Sequence, residues 1–142
     1  MKRLAAVLLI FVMTFGLFGC SISATRKEVM GLSVDDVANA KKKFSKVVAI
    51  DPVTCVEKTA GIVTITMKAQ LTGSLVNDST DSFWLRAIKF DKFYPTCIDT
   101  TQVAILIKKK GRDKSRVEVF SDNIFLAEAV SSKLFELLEQ KP

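Results

Sequence analysis

Few residues of this 142-residue chain have the types and spacing that catalysis requires. Histidine is absent, which excludes Ser-His-Asp and Cys-His pairs, imidazole metal ligands and histidine proton shuttles. The glycines form neither a G-x-x-x-x-G-K nor a G-x-G-x-x-G motif, and the cysteines form no C-x-x-C motif. The adjacent acids Asp35 and Asp36 are better explained as part of a helix start. We therefore expect a non-catalytic protein that needs no cofactor and no metal.

An apolar run at the N-terminus ends abruptly on glycine and cysteine. Lys2 and Arg3 precede the run Leu4–Phe18, which only Thr14 and Gly16 interrupt. A positive start followed by a short apolar stretch is the layout of a secretory signal peptide. A transmembrane helix needs about 20 predominantly apolar residues, so a membrane-spanning segment is the weaker alternative.

The sequence LFGC, residues 17–20, resembles the lipobox of bacterial lipoprotein precursors. The resemblance implies that residues 1–19 are a signal peptide, that cleavage occurs before Cys20, and that Cys20 is acylated and anchors the mature protein in the membrane. In Gram-negative lipoproteins an aspartate after the acylated cysteine retains the protein at the inner membrane. Ser21 stands at that position here, which favours the outer membrane, with the protein facing the periplasm.

The remaining chain divides into a lipidated tether, residues 20–32, and residues 33–142, whose length suits one domain with a single core. Lys2 and Arg3 are two of the 21 basic residues, which leaves 19 against 15 acidic residues in the mature protein. This mild positive bias and the envelope location both disfavour nucleic acid as a partner.

Two further cysteines, Cys55 and Cys97, remain once Cys20 is acylated. Disulfides persist in oxidising compartments such as the periplasm, so we expect a Cys55–Cys97 bond. The alternative is two separate buried thiols, which behave as small hydrophobic groups. A catalytic redox pair is less favoured, since neither cysteine has a second cysteine at short spacing or a histidine to lower its pKa.

The first half of the domain is predicted as a helix followed by a β-hairpin. Ser33 and Asp36 match a capping box, and apolar residues recur at helical spacing, so a helix is expected over 33–48, ending before Asp51-Pro52. The β-branched segments 53–58 and 62–69 predict the hairpin, and 72–81 is expected to be a polar loop.

The second half contains one ambiguous segment and three clear ones. Residues 82–94 are rich in aromatic residues and fit either a helix, which we favour, or a strand. Strands are predicted over 101–108 and 115–120, and a helix over 122–140 capped by Ser121-Asp122. The expected fold class is α+β, with an antiparallel sheet of four to five strands packed with an N-terminal and a C-terminal helix.

The densest cluster of charge lies in the turn between the last two predicted strands. Six basic residues stand here against one acidic residue: Lys108, Lys109, Lys110, Arg112, Lys114 and Arg116. They could contact an anionic surface such as phospholipid or lipopolysaccharide phosphate. The simpler interpretation is a solvated turn whose lysines prevent edge-to-edge pairing of strands.

The expected function is a non-catalytic binding or scaffolding domain, held to the membrane through acylated Cys20, with an envelope protein or glycan as partner. The alternative is a carrier of lipids or small hydrophobic molecules, which would need a pocket lined by Phe83, Trp84 and Ile105. Phe125 and Phe135 lie beside the acidic stripe of the last predicted helix, where they could touch a second subunit or partner.

Overall fold

The strands within the described residues form one antiparallel sheet of five. The computed structural model describes Leu32, Asp36 and residues 39–77, 81–96 and 101–140. The strands are β1 (Phe44–Val48), β2 (Gln70–Asn77), β3 (Ser82–Ile88), β4 (Val103–Lys109) and β5 (Ser115–Phe120). Their order across the sheet is β1-β5-β4-β3-β2, so β4 is central and β1 and β2 form the edges.

The central hairpin, β4 and β5, agrees with the sequence prediction. Ala104 lies opposite Phe120, Leu106 opposite Glu118, and the ladder closes at Lys109 and Ser115. Both strands are rich in β-branched and apolar residues, and their pairing is local in sequence. The predicted strands 101–108 and 115–120 are therefore confirmed.

Helix α1 (Pro52–Gly61) follows β1, where a β-hairpin was predicted from 53–58 and 62–69. The Asp51 carboxylate accepts a hydrogen bond from the Thr54 backbone N–H at 3.0 Å and thereby caps the helix. Pro52 suits the first turn, where an N–H has no partner within the helix. The hairpin prediction is wrong because Asp-Pro marks the start of this helix, not only the end of an earlier one.

Helix α1 continues into a π-helical segment, Ile62–Thr66, in which the Met67 N–H donates to the Ile62 carbonyl at 3.0 Å. Burial across both segments has helical spacing, since every fourth residue is buried: Cys55, Thr59, Val63 and Met67. Ile65, which an alternating strand would have placed in the core, is instead 77% exposed.

Helix α2 (Ile124–Glu139) confirms the predicted C-terminal helix but corrects its cap. The Asn123 side chain accepts hydrogen bonds from the N–H groups of Phe125 and Leu126, both at 3.2 Å. Ser121 lies outside the helix, and its hydroxyl donates to the Gln102 carbonyl at 2.6 Å. The cap is thus one residue later than Ser121-Asp122.

The predicted helix 33–48 is corrected by strand β1. Asp36 and Asn39 have helical backbone, but Phe44–Val48 pairs with β5 along its whole length. Lys46 lies within this strand and forms an ion pair with Glu139 of α2 at 2.8 Å. Pairing with β1 satisfies the backbone N–H and C=O groups along the edge of β5, which a helix over the same residues would leave without strand partners.

The predicted loop 72–81 is also corrected, because most of it belongs to edge strand β2. A bulge between Leu71 and Gly73 interrupts the register of β2 with β3. The ambiguous segment 82–94 begins as strand β3 and then leaves the sheet at Lys89, which has a positive φ of 62°. The favoured helix is wrong there, and the strand alternative is observed over Ser82–Ile88.

One face of the sheet is covered by α1 and α2, and we call it the helix-covered face. Its core combines strand residues with the apolar side of α2; the largest fully buried members from these elements are Ile105, Ile107, Val103, Val117, Val119, Leu126 and Leu134. Burial of this apolar surface is the main source of stability.

The fold is α+β, as predicted: the elements described here are a five-stranded antiparallel sheet and the helices α1 and α2, and the C-terminal part of the predicted helix 33–48 is strand β1. Leu32–Pro142 forms one compact unit, to which every described residue belongs. Within the described ranges, no helix is both long and apolar enough to span a membrane.

Candidate functional site

The opposite side of the sheet, which we call the open face, is chemically mixed. Its apolar half is a small cluster in which Leu32, Ala104 and Leu106 are buried, with Trp84 and Phe120 packed against them. The Leu32 N–H donates to the Gln102 side-chain oxygen at 3.0 Å, which fixes the start of the domain on this face. Leu32 is therefore held next to the residue that precedes β4.

The other half of the open face carries positive charge. Lys108 lies opposite Arg116 in the ladder, and both point to the same side as Leu106 and Glu118 because side chains alternate along a strand. The Lys110 N–H donates to the Lys114 carbonyl at 2.9 Å, which continues the same register by one further pair. We call these four residues, Lys108, Lys110, Lys114 and Arg116, the basic face.

A buried acid lies at the inner end of the basic face. Glu118 is only 4% exposed, and its carboxylate forms ion pairs with Lys108 at 3.2 Å and with Lys43 at 3.4 Å. Lys43 precedes β1, so the carboxylate joins the segment before β1 to the central strands. A buried carboxylate needs such partners, since desolvation of an unpaired charge is costly.

The remaining two predicted contact residues lie elsewhere. Lys109 belongs to the other side of β4 and forms an ion pair with Asp81 at 3.4 Å, both side chains being exposed. Arg112 is at the exposed tip of the turn, next to Gly111, whose φ of 107° a side chain would strain. The structure thus brings together four of the six predicted cations and separates Lys109 and Arg112 from them.

Trp84 and Arg86 on β3 are open-face residues that sequence reasoning did not assign to a charged surface. The Arg86 guanidinium lies 5.4 Å from the centroid of the Trp84 ring, within the range of a cation–π interaction. The Trp84 indole N–H is buried without a hydrogen-bond partner. The sequence SFWLRAI could have predicted this pair, because side chains alternate along a strand and Trp84 and Arg86 are two residues apart.

The predicted carrier pocket is not formed by its three residues. Phe83 packs against the core on the helix-covered face together with Ile105, whereas Trp84 lies on the open face. A strand cannot direct consecutive side chains into one cavity. Of the two phenylalanines on α2, Phe125 is 67% exposed and Phe135 packs partly against the core.

Cys55 is buried on the inner side of α1 and is a free thiol in this structure. Burial raises the pKa of this thiol, while the hydroxyls of Thr59 and Ser115 oppose that shift. The predicted Cys55–Cys97 disulfide is therefore not formed here, and Cys97 lies outside the described residues, as do Cys20, Asp35 and the signal peptide. The pairing stays a prediction that peptide mapping without reduction can decide.

The described ranges hold no group of three or more acidic or cysteine side chains arranged to bind a metal ion. The features with chemical character are therefore the basic face and the Glu118 ion pairs. They can attract and orient an anion, but they provide no nucleophile next to a base.

No family model and no curated protein matches the chain. Among solved structures, the chain matches the crystal structure of the vertebrate conserved region (VCR) of human METTL16, with a TM-score of 0.46 and 17% sequence identity. The match covers 70% of this chain and 100% of that one. This likeness is remote, so we infer the function from the residues of the chain itself.

Proposed function

We propose that the protein is an envelope lipoprotein, acylated at Cys20, whose α+β domain is a non-catalytic binding or scaffolding module. The LFGC sequence after a short apolar run carries the proposal. Two or three acyl chains, at about 0.8 kcal/mol per buried methylene, make an anchor that does not readily leave the bilayer. The mature protein is then tethered to the membrane without spanning it.

Two features of the domain support a binding role. The helix-covered face is occupied by an apolar core, while the open face carries Lys110, Lys114 and Arg116, which take part in none of the ion pairs among the described residues. The partner is an envelope protein or a glycan, or the anionic surface to which the protein is anchored. Phe83 and Ile105 lie on the other side of the sheet from Trp84, so the carrier alternative would need a pocket with a different lining.

Mass spectrometry of the membrane-extracted protein tests the anchor. We expect an acylated N-terminus at Cys20, and we expect Cys20→Ala to accumulate as an uncleaved precursor. Cys97→Ser is the matched control, since it removes a cysteine without touching the lipobox and should be processed normally. An unmodified Cys20, or a mature N-terminus at Met1, would overturn the proposal.

Affinity purification from the native envelope tests the binding role. The acylated protein is crosslinked in membranes, extracted, and analysed for proteins and glycans that are absent from a control preparation carrying an unrelated lipoprotein. A reproducible envelope partner supports the binding role, and a protein recovered alone contradicts it.

A further inference from the structure

The arrangement of charge on the basic face is unfavourable for the isolated domain. Two like-charged pairs, Lys108 with Arg116 and Lys110 with Lys114, follow each other on one side of the hairpin. Side chains directly opposite in an antiparallel pair are about 4.5–5.5 Å apart, and like charges there are destabilising. Repulsion of this kind is relieved when anions bind between the cations.

Little of this charge is neutralised within the domain. Glu118 pairs with Lys108, but none of the ion pairs among the described residues involves Lys110, Lys114 or Arg116. Lys110 and Lys114 are exposed, and Arg116 is partly exposed. The basic face therefore presents three cations to an external ligand.

The chemistry and shape of the basic face fit phosphate groups on a surface. The planar guanidinium of Arg116 can hold two phosphate oxygens at once, and lysine ammonium groups bind phosphate as point charges. Successive residues on one side of a strand are about 7 Å apart, so the four cations spread over a strip of the hairpin. Such a strip matches neighbouring head groups better than it matches one enclosed ion.

We propose that the basic face docks on the lipid phosphates of an anionic leaflet and so fixes the orientation of the anchored domain. This inference rests on the proposed acylation of Cys20. The 12 residues from Cys20 to Leu32 span at most about 43 Å. The eight residues from Gln102, which holds Leu32, to Lys110 span about 27 Å of extended strand. The anchor and the basic face can therefore reach the same leaflet.

The anchor removes the need for high affinity. Because the tether already keeps the domain at the bilayer, docking is an intramolecular step with a high effective concentration. Three weak contacts are then sufficient to select one orientation, in which the strands lie along the membrane and the open face is turned towards it.

A fluorescent probe next to the basic face tests the orientation. Val47 is 44% exposed on the open face, directly opposite Arg116. The mature acylated protein with Val47→Cys, in a Cys97→Ser background, is labelled with an environment-sensitive dye and placed in nanodiscs that contain brominated lipid. Quenching of the dye is compared between zwitterionic discs and discs containing phosphatidylglycerol.

We expect stronger quenching in the anionic discs and loss of the difference as salt rises, because salt screens exposed charges. Lys110→Glu with Lys114→Glu should abolish the difference, and the Gln double variant should reduce the docking equilibrium constant about five-fold per cation removed. Lys58→Glu with Lys92→Glu, two exposed lysines away from the basic face, changes the net charge equally and should leave the quenching unchanged.

Three outcomes overturn the inference. The first is equal quenching in both kinds of disc, and the second is quenching that survives in the Glu double variant. The third is loss of quenching with inorganic phosphate but not with chloride at equal ionic strength, which would indicate a free-phosphate site. Failure of the protein to remain in discs of either kind instead contradicts the proposed anchor, and the two failures are therefore distinguishable.

Discussion

The two faces of strand β4 differ although the strand itself is almost uniformly apolar. Val103, Ile105 and Ile107 point into the core beneath α1 and α2 and are at most 1% exposed. On the open face, Ala104 and Leu106 are also buried, but the described residues that pack with them form only the small Leu32 cluster, and Lys108 follows. The comparison indicates that the helix-covered face holds the domain together, while the open face is divided between the small Leu32 cluster and the basic face.

The largest expected effect is on the free energy of unfolding, which should fall more for a core substitution on the helix-covered face than for one on the open face. Ile105→Ala leaves a cavity in a core enclosed by helices, and we expect a loss of about 3–4 kcal/mol in the free energy of unfolding. Leu106→Ala lies in a smaller cluster in which Leu32 can shift to fill the space, and we expect about 2 kcal/mol. Urea denaturation of both variants measures the difference.

Equal losses for Ile105→Ala and Leu106→Ala would contradict the division of roles. The open face would then contain a second core that contributes as much to stability as the core of the helix-covered face. Leu32→Ala should resemble Leu106→Ala in either case, since the two residues pack in one cluster.

The second prediction concerns Glu118, the buried acid that pairs with Lys43 and Lys108 on the open face. Lys43→Met with Lys108→Met leaves Glu118 buried without its two cations, and we expect a loss of about 2 kcal/mol at neutral pH. Glu118→Gln leaves lysines that are already partly exposed to water, so we expect less than about 1 kcal/mol. Denaturation of the two variants under one buffer condition tests the asymmetry.

A larger loss for Glu118→Gln than for the double methionine variant would contradict this asymmetry, because the buried carboxylate would then tolerate the loss of its two cations. The Glu118 ion pairs would then contribute nothing to the positions of the cations on the basic face.

Local signals explain which parts of the fold were predictable. The β4–β5 hairpin and α2 each combine a clear apolar period with polar punctuation close in sequence, and both were predicted. Strand β1 was not, because FSKVV fits both periods and only its pairing with the distant β5 selects the strand. Strand β2 was missed for the same reason, since TGSLVN has turn composition and is held by β3.

Helix α1 shows a different kind of failure. Asp51 and Pro52 carry a complete start signal, but the valines and threonines after them have strand propensity. The packing of Cys55, Thr59 and Val63 against the sheet outweighs that propensity. The basic residues of the candidate site were found by composition, but their division between two faces required the register of β4 and β5.

The smallest expected effect concerns the acid that caps α1 on the helix-covered side of the sheet. The side chain of Thr54, and then its backbone N–H, donate to the Asp51 carboxylate and lower the pKa of Asp51 below its usual 3.8. Because the folded pKa is lower than the unfolded one, the ionised carboxylate stabilises the fold above the unfolded pKa. That stabilisation is lost as the pH falls through the folded value.

Asp51→Asn keeps a good cap but does not titrate, so it isolates the contribution of the charge. We expect the wild type to have the higher Tm at neutral pH and the difference to shrink as the pH falls below about 4. Thr54→Val, which removes only the hydroxyl donor, should reduce the pH dependence without abolishing it, since the backbone N–H remains. Tm curves for the wild type and Asp51→Asn that run parallel down to pH 2 would show that the cap acts through its oxygen acceptor alone, as the neutral Asn123 does for α2.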